Sequence, residues 1–305
     1  MAGRFAPSPT SDLHLGNLRT ALLAWLMART SGREFFVRIE DLDQARVAAA
    51  PGVADRQLAD LAAIGITWDG PVLRQSERFD VYRDYAARLD TYECFCTRRE
   101  IAASAQAPHD DYRPYPGTCR NLTTAEIATK KAEGRPPTIR VRANNATMTI
   151  HDDHAGEVCG AVDDFVLIRG DGTPSYNLAV VVDDGLQGVD QVVRGTDLLS
   201  SAPRQAWLAQ QFGFAVPSYA HVGLALGPLG RRLAKRDGAV SLAALARLGL
   251  TAREVFWMLT DSLGWPRFDD AQALLDATGQ TDLLASPLIW ETWTAPATGP
   301  TAAAG

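Results

Sequence analysis

The stretch Arg4 to Asn17, RFAPSPTSDLHLGN, sets two prolines, His14 and Gly16 between a short extended run and a helical pattern, LRTALLAWLMART. Prolines hold extended dihedrals, glycine admits close approach to the backbone, and a helix start offers unpaired N–H groups with partial positive charge. Such a turn is suited to binding an anion, phosphate above all. The spacing contains neither GxxxxGK[ST] nor GxGxxG, so two familiar phosphate loops are excluded. Farther on, EFFVRIEDLD ends an apolar run in Glu40, Asp41 and Asp43, and Tyr176 and Arg194 interrupt another apolar region. A charge beside a buried sheet needs a partner from the protein or a ligand.

A second constellation is built of thiols. Cys94 and Cys96 are followed by Tyr115 and Cys119, while Cys159 stands apart and reads as structural. In a reducing compartment clustered cysteines suggest metal rather than disulfides, and zinc takes four tetrahedral N, S or O donors. The fourth donor would be Tyr115, His109 or water. His151 and His154, spaced around two aspartates, read as turn residues of an exposed hairpin.

These residues need a frame. Strand, helix and strand within the first 40 or so residues make a βαβ unit, which brings Glu40, Asp41 and Asp43 near Arg4 and His14 at the carboxyl ends of parallel strands. One face of the first helix carries Leu18, Leu22, Leu23, Leu26 and Met27. Pro51 opens the next helix and Gly65 closes it, and Ser76 to Leu89 is helical with Phe79, Tyr82 and Tyr85 as core. Thr97 and Glu100 form a capping box, Thr123 to Glu133 a helix, and TIRVRANNATMTIHD strands of a small inserted subdomain. Asp171-Gly172 marks a turn between strand patterns, and the continuous Leu178-Ala-Val-Val-Val182 reads as a strand buried on both faces. Gln191 to Arg194 makes a further strand before a helix containing Trp207, Leu208 and Phe212. TAREVFWMLTDSLGW is an amphipathic helix, and APATGPTAAAG has the composition of disorder.

At 305 residues, 46% hydrophobic and 22% charged, the chain is globular. No apolar run approaches the roughly 18 residues of a membrane span, and MAGRFAPS lacks a signal-type core, which points to a cytoplasmic protein without membrane contact. The net charge of -6 argues against general nucleic-acid affinity without excluding a local RNA-binding patch.

Taken together, APSPTSDLHLGN, RIEDLD, the CxC…YxxxC spacing, the Tyr176 to Arg194 segment and RRLAKR resemble, in order, the motifs of class I aminoacyl-tRNA synthetases of the glutamate-specific branch. The resemblance covers about residues 3 to 250. It implies an α/β fold with a Rossmann-type parallel sheet, an inserted zinc-containing α+β subdomain and a short helical C-terminal extension. The corresponding ranges are 1–92 with 163–248, then 93–162, then 249–305. It also implies one structural Zn²⁺ on Cys94, Cys96, Tyr115 and Cys119, with ATP and Mg²⁺ used as substrate. Two positions depart from the family's motifs. Asn17 replaces the second histidine of the first signature, as is common in this branch, and Ala234 replaces the serine of the Lys-Met-Ser-Lys-Ser loop, which removes one hydroxyl contact to phosphate.

The reaction implied is attack of a glutamate carboxylate on the ATP α-phosphate, followed by capture of the adenylate by an acceptor hydroxyl. Such chemistry needs positioning and cations rather than a protein nucleophile. His14 and Lys235 are the catalytic candidates. Pro7, Gly16, Asn17 and Arg232 join them around ATP. Arg4 and Arg194 suit the carboxylates of L-glutamate, Glu40 its ammonium, and Phe5, Ala6, Pro7, Ser8 and Tyr176 the remaining contacts. Only some 55 residues follow Gly249, too few for the anticodon-binding region of an ordinary glutamyl enzyme. That favours a short offshoot of the branch, a monomer that glutamylates queuosine in the anticodon stem-loop of tRNA(Asp). The alternatives are a truncated enzyme charging the tRNA 3′ end and a catalytically impaired nucleotide-binding paralogue.

Overall fold

The computed structural model describes residues 1–97, 99–101, 114–227, 230, 241–278 and 282–295. In chain order its strands are β1 (Ala2–Phe5), β2 (Glu34–Ile39), β3 (Leu73–Arg74), β4 (Thr91–Cys94), β5 (Thr138–Val141), β6 (Ala146–Asp152), β7 (Gly156–Val162), β8 (Val166–Ile168), β9 (Val189–Gly195), β10 (Ser218–Val222), β11 (Ala225–Leu226) and β12 (Trp293–Thr294). The chain forms two compact units, one of Met1–Arg74, Gln191–Leu199 and Tyr219–Gly305, the other of Gln75–Asp190 and Ser200–Ser218.

In the first unit the strand order is β3-β2-β1-β9-β10. β1 runs parallel to β2, with Phe5 opposite Val37, and β2 runs parallel to β3. Helix α1 (Leu15–Thr30) makes the crossover between β1 and β2. Its apolar residues do not form the single face that its periodicity predicts. Leu15, Leu18, Leu22, Leu23, Trp25 and Leu26 are all fully buried, because α1 lies inside a core that also contains Val255, Phe256, Leu259, Leu274 and Ile289. A helix apolar all round is a buried helix. Gly3 permits the close packing of β1 on α1: a Cβ there would stand 2.9 Å from that of Ala28.

The residues beyond 249 contribute two helices, Ala252–Asp261 and Ala271–Thr278, and β12, which pairs in parallel with β11. The first helix begins in a capping box between Thr251 and Glu254. Arg19 of α1, only 1% exposed, is held by this segment together with the turn after β10. Its Nε donates to Ser262 Oγ at 3.3 Å, one Nη to the Gly223 carbonyl at 3.0 Å and the other to the Leu288 carbonyl. Burial depresses its pKa to about 10.

In the second unit β5 pairs antiparallel with β4 and β8, and β6 and β7 form an antiparallel hairpin. The apolar run Leu178 to Val182 is not a strand. It belongs to the helix Tyr176–Leu186, which starts from Ser175, whose hydroxyl accepts from the Leu178 N–H. A short apolar run has no period that separates buried strand from buried helix, so the cap and the packing decide. The helix carries the fully buried Asp183, which accepts from Tyr82 Oη at 2.8 Å, Arg78 Nε at 2.9 Å and Gln75 Nε2 at 3.0 Å. A buried carboxylate is tolerable only with such a set of donors. Tyr82, expected simply as core, is therefore also one of its ligands. The helix expected across Ser76 to Leu89 is shorter, a 3-10 turn Gln75–Glu77 followed by Phe79–Ala86. No described helix is long and apolar enough to cross a membrane.

Candidate active site and thiol cluster

The loop after β1 is held from both sides. The Glu40 N–H donates to the Pro7 carbonyl at 2.9 Å, which joins the exits of β1 and β2. The side-chain amide of Gln57, on the helix Val53–Ala63, donates to the carbonyls of Ser8 at 3.1 Å and Ser11 at 2.7 Å. Pro7, Pro9 and Leu13 are buried and Ser8 is exposed.

His14 is the N-cap of α1. Its Nδ1 accepts from the Asn17 N–H at 3.2 Å, while Asn17 Oδ1 accepts from the His14 N–H at 3.1 Å, a reciprocal capping box. Burial lowers the His14 pKa, so the ring stays neutral at physiological pH with its proton on Nε2. Asn17 thus has a structural role that its place in a phosphate loop did not announce. Gly16 differs from expectation too. A Cβ there would come within 2.7 Å of the Ala225 Cβ, so the bare α-carbon accommodates β11 rather than leaving open room for a ligand.

The three acids after β2 divide their labour. Glu40 pairs with the fully buried Arg38 at 3.3 Å, Asp41 is buried, and Asp43 caps the short helix Gln44–Ala48 through the Arg46 N–H. Arg4 on β1 is 4% exposed and donates to the carbonyl of Val193 at 3.4 Å, immediately before Arg194. Arg194 is 6% exposed; its Nε donates to His221 Nε2 at 3.0 Å and an Nη to the Leu198 carbonyl at 3.3 Å. The fold thus brings Arg4, Glu40, His14 and Arg194 into one unit at the carboxyl ends of its strands. Tyr176, the first residue of its helix, lies in the second unit, and Arg232 and Lys235 lie outside the described residues. His221 and Gln57 were not singled out by their sequence context, since a histidine in SYAHV and a glutamine in a helix reveal a long-range partner only once the fold is known.

The thiols do converge. The sulfurs of Cys94, Cys96 and Cys119 all lie within 4.8 Å of one another, the sole group of three or more candidate metal ligands among the described residues. Tyr115 Oη sits among them, accepting from Cys94 Sγ at 3.3 Å and the Cys119 N–H at 2.8 Å, and 3.7 Å from Cys96 Sγ. Cys96 and Cys119 sulfurs are 3.5 Å apart. The Arg140 guanidinium covers the Tyr115 ring at 3.7 Å. Burial pushes the Cys96 thiol up to about 11, helped by the neighbouring sulfurs. Burial opposes the Cys94 thiolate as well, but the Tyr115 hydroxyl and the Arg140 charge outweigh it and bring its pKa down. Three sulfurs and a phenol oxygen at this separation fit a tetrahedral S₃O donor set, and a bound dication would relieve the mutual repulsion of their ionised forms. His109 lies outside the described residues, and Cys159 is exposed on β7, away from the group.

The tRNA synthetases class I (E and Q) catalytic-domain model matches residues 1–285, and the chain belongs to that family. Within it, the chain is 58% identical over 281 residues to the Glutamyl-Q tRNA(Asp) synthetase of Cutibacterium acnes, covering 92% of this chain and 81% of that protein. It is 58% identical over 279 residues to the protein of the same name from Nocardia farcinica, covering 90% and 88%. A solved glutamate tRNA ligase from Elizabethkingia meningosepticum, in complex with its amino acid, superposes with a TM-score of 0.77 at 29% identity, over 97% of this chain and 67% of that one. The expected class I synthetase fold and ATP-using ligase family are thereby established.

Proposed function

We propose that this enzyme activates L-glutamate with ATP as glutamyl-adenylate and transfers the glutamyl group to the queuosine base in the anticodon of tRNA(Asp). The observation that carries this reading is the 58% identity, over nearly the whole chain and most of the relatives' length, to proteins bearing that name. A glutamate carboxylate oxygen attacks the α-phosphorus and pyrophosphate leaves with its Mg²⁺. A hydroxyl of the modified base then attacks the acyl carbon and AMP leaves.

The residues support these steps by placing charge. His14, neutral and oriented by its cap, offers Nε2–H to a phosphate oxygen, and Lys235 and Arg232 supply cations to the same group. Pro7 and Asn17 shape the ATP side of the loop, and Gly16 lets β11 pack behind it. Arg4 and Arg194 receive the carboxylates, Glu40 the ammonium, and Ser8 adds a neutral hydrogen bond beside Phe5 and Ala6. Cys94, Cys96, Tyr115 and Cys119 would hold one structural Zn²⁺. The enzyme acts in the cytoplasm as a monomer on tRNA(Asp), for which the isolated queuosine-containing anticodon stem-loop suffices as substrate.

The test is glutamylation of tRNA(Asp) with and without queuosine. Labelled glutamate should reach the queuosine-containing stem-loop, remain after removal of the tRNA 3′ end, and be absent when guanine replaces queuosine. Glutamate on the terminal adenosine would return the chain to ordinary charging.

A further inference from the structure

We infer that His221 is a positioning residue for the amino-acid substrate, acting by fixing the plane of the Arg194 guanidinium. The inference rests on the proposed reading of Arg194 as a ligand of a glutamate carboxylate. Arginine binds carboxylate well because its fork is planar and directional, and that advantage is lost if the fork can rotate about its long stem. Arg194 is restrained on two edges and one face. Nε donates to His221 Nε2 at 3.0 Å, an Nη donates to the Leu198 carbonyl, and the Tyr219 ring centroid lies 5.5 Å from the guanidinium carbon. His221 and Tyr219 are two residues apart on β10, hence on the same side of the strand, and their rings stack at 5.8 Å with an interplanar angle of 14°. His221 is 1% exposed. Accepting from Nε–H requires an unprotonated Nε2 and places the ring proton on Nδ1. An apolar residue of similar bulk would fill the space but leave a buried guanidinium N–H without that acceptor and its plane less fixed.

ATP–pyrophosphate exchange by the full-length protein, with glutamate and ATP varied in turn, separates this role from simple core packing. For His221→Leu the KM for glutamate should rise roughly ten- to hundredfold, while the KM for ATP stays within about twofold. His221→Gln should recover most of the loss, since its Oε1 can take the place of Nε2. His221→Asn, whose Oδ1 falls where Nδ1 was, should not. If His221→Leu does not fold, the Gln and Asn variants still decide the matter. A wild-type glutamate KM in both His221→Leu and His221→Asn, or a KM for ATP that rises in step, would overturn the inference. Arg194→Lys, assayed alongside, should also raise the glutamate KM. An unchanged value there would remove the carboxylate assignment itself, a failure distinct from that of His221 alone.

Discussion

The Arg4 to Asn17 loop and the Cys94 to Cys119 cluster both gather reactive side chains, yet their order has different sources. In the loop each group is already tied down by the fold: Pro7 to Glu40, Ser8 and Ser11 to Gln57, His14 to Asn17. These ties fix the loop's backbone and the His14 ring while leaving Nε2–H of His14 to face outward from the cap. In the cluster the sulfurs face one another, with Cys96 held in its protonated form by burial and by its neighbours. Preorganisation in the loop rests on hydrogen bonds within the polypeptide, whereas the cluster's three sulfurs, within 4.8 Å of one another, are placed where a cation could hold them.

The sharpest way to test that difference is to assay for a cation and then remove one of its candidate ligands. The full-length protein should contain about one zinc per chain, and Cys96→Ser should lose it at a cost of several kcal/mol in stability. Hydrogen exchange should then accelerate at Tyr92–Cys94 and Tyr115–Leu122, with β1 and β2 still protected. Protein purified without chelator that carries no metal would erase the contrast and leave a set of reduced thiols.

A smaller effect is expected on the loop side. Gln57→Leu removes the donor shared by two loop carbonyls and should cost about 1–2 kcal/mol in denaturant unfolding. It should also raise the KM for ATP more than that for glutamate. If both stability and KM are unchanged, the loop is ordered by its prolines alone.

The smallest concerns Asp60, on the same helix as Gln57. Its pKa is raised to about 6, first by burial and then by the charge of Asp12, with Arg56 opposing. The native state therefore holds this proton more tightly than the unfolded chain, whose value is near 3.8. As pH rises from about 3.8 to about 6 the native state loses stability through this group, and the penalty persists above that window. Asp60→Asn should stabilise the protein at pH 7 to 8 by about 1 kcal/mol or less, and the gain should disappear by pH 4. Equal melting-temperature shifts at both pH values would assign the effect to packing.

How far the sequence reached depends on whether a residue's partner is local. The βαβ unit was legible because apolar spacing switches from strand to helix across a proline-rich turn. The capping box at Thr97 and Glu100 was legible because both members lie within four residues, and the structure contains both its hydrogen bonds. Leu178 to Val182 was misread because five apolar, mostly β-branched residues favour strand by propensity. Ser175, three residues ahead of Leu178, was the cue for a helix. Nothing near Gly16 in sequence announces Ala225, and nothing near Arg194 announces His221. Such contacts arise only when distant segments are folded together. The thiol group fell between these cases, with its composition plain from spacing and its compactness visible only in three dimensions.

Arg19 has a consequence for the order in which the molecule can be finished. Its three acceptors come from Gly223, Ser262 and Leu288, so the last of them leaves the ribosome 269 residues after the arginine itself. Domains generally fold from the N-terminus as synthesis proceeds, but α1 cannot bury its cation with full pairing until almost the whole chain is available. A nascent or prematurely terminated chain that stops before Leu288 retains the Arg4 to Asn17 loop in sequence and lacks the carbonyl that lets the helix behind it close.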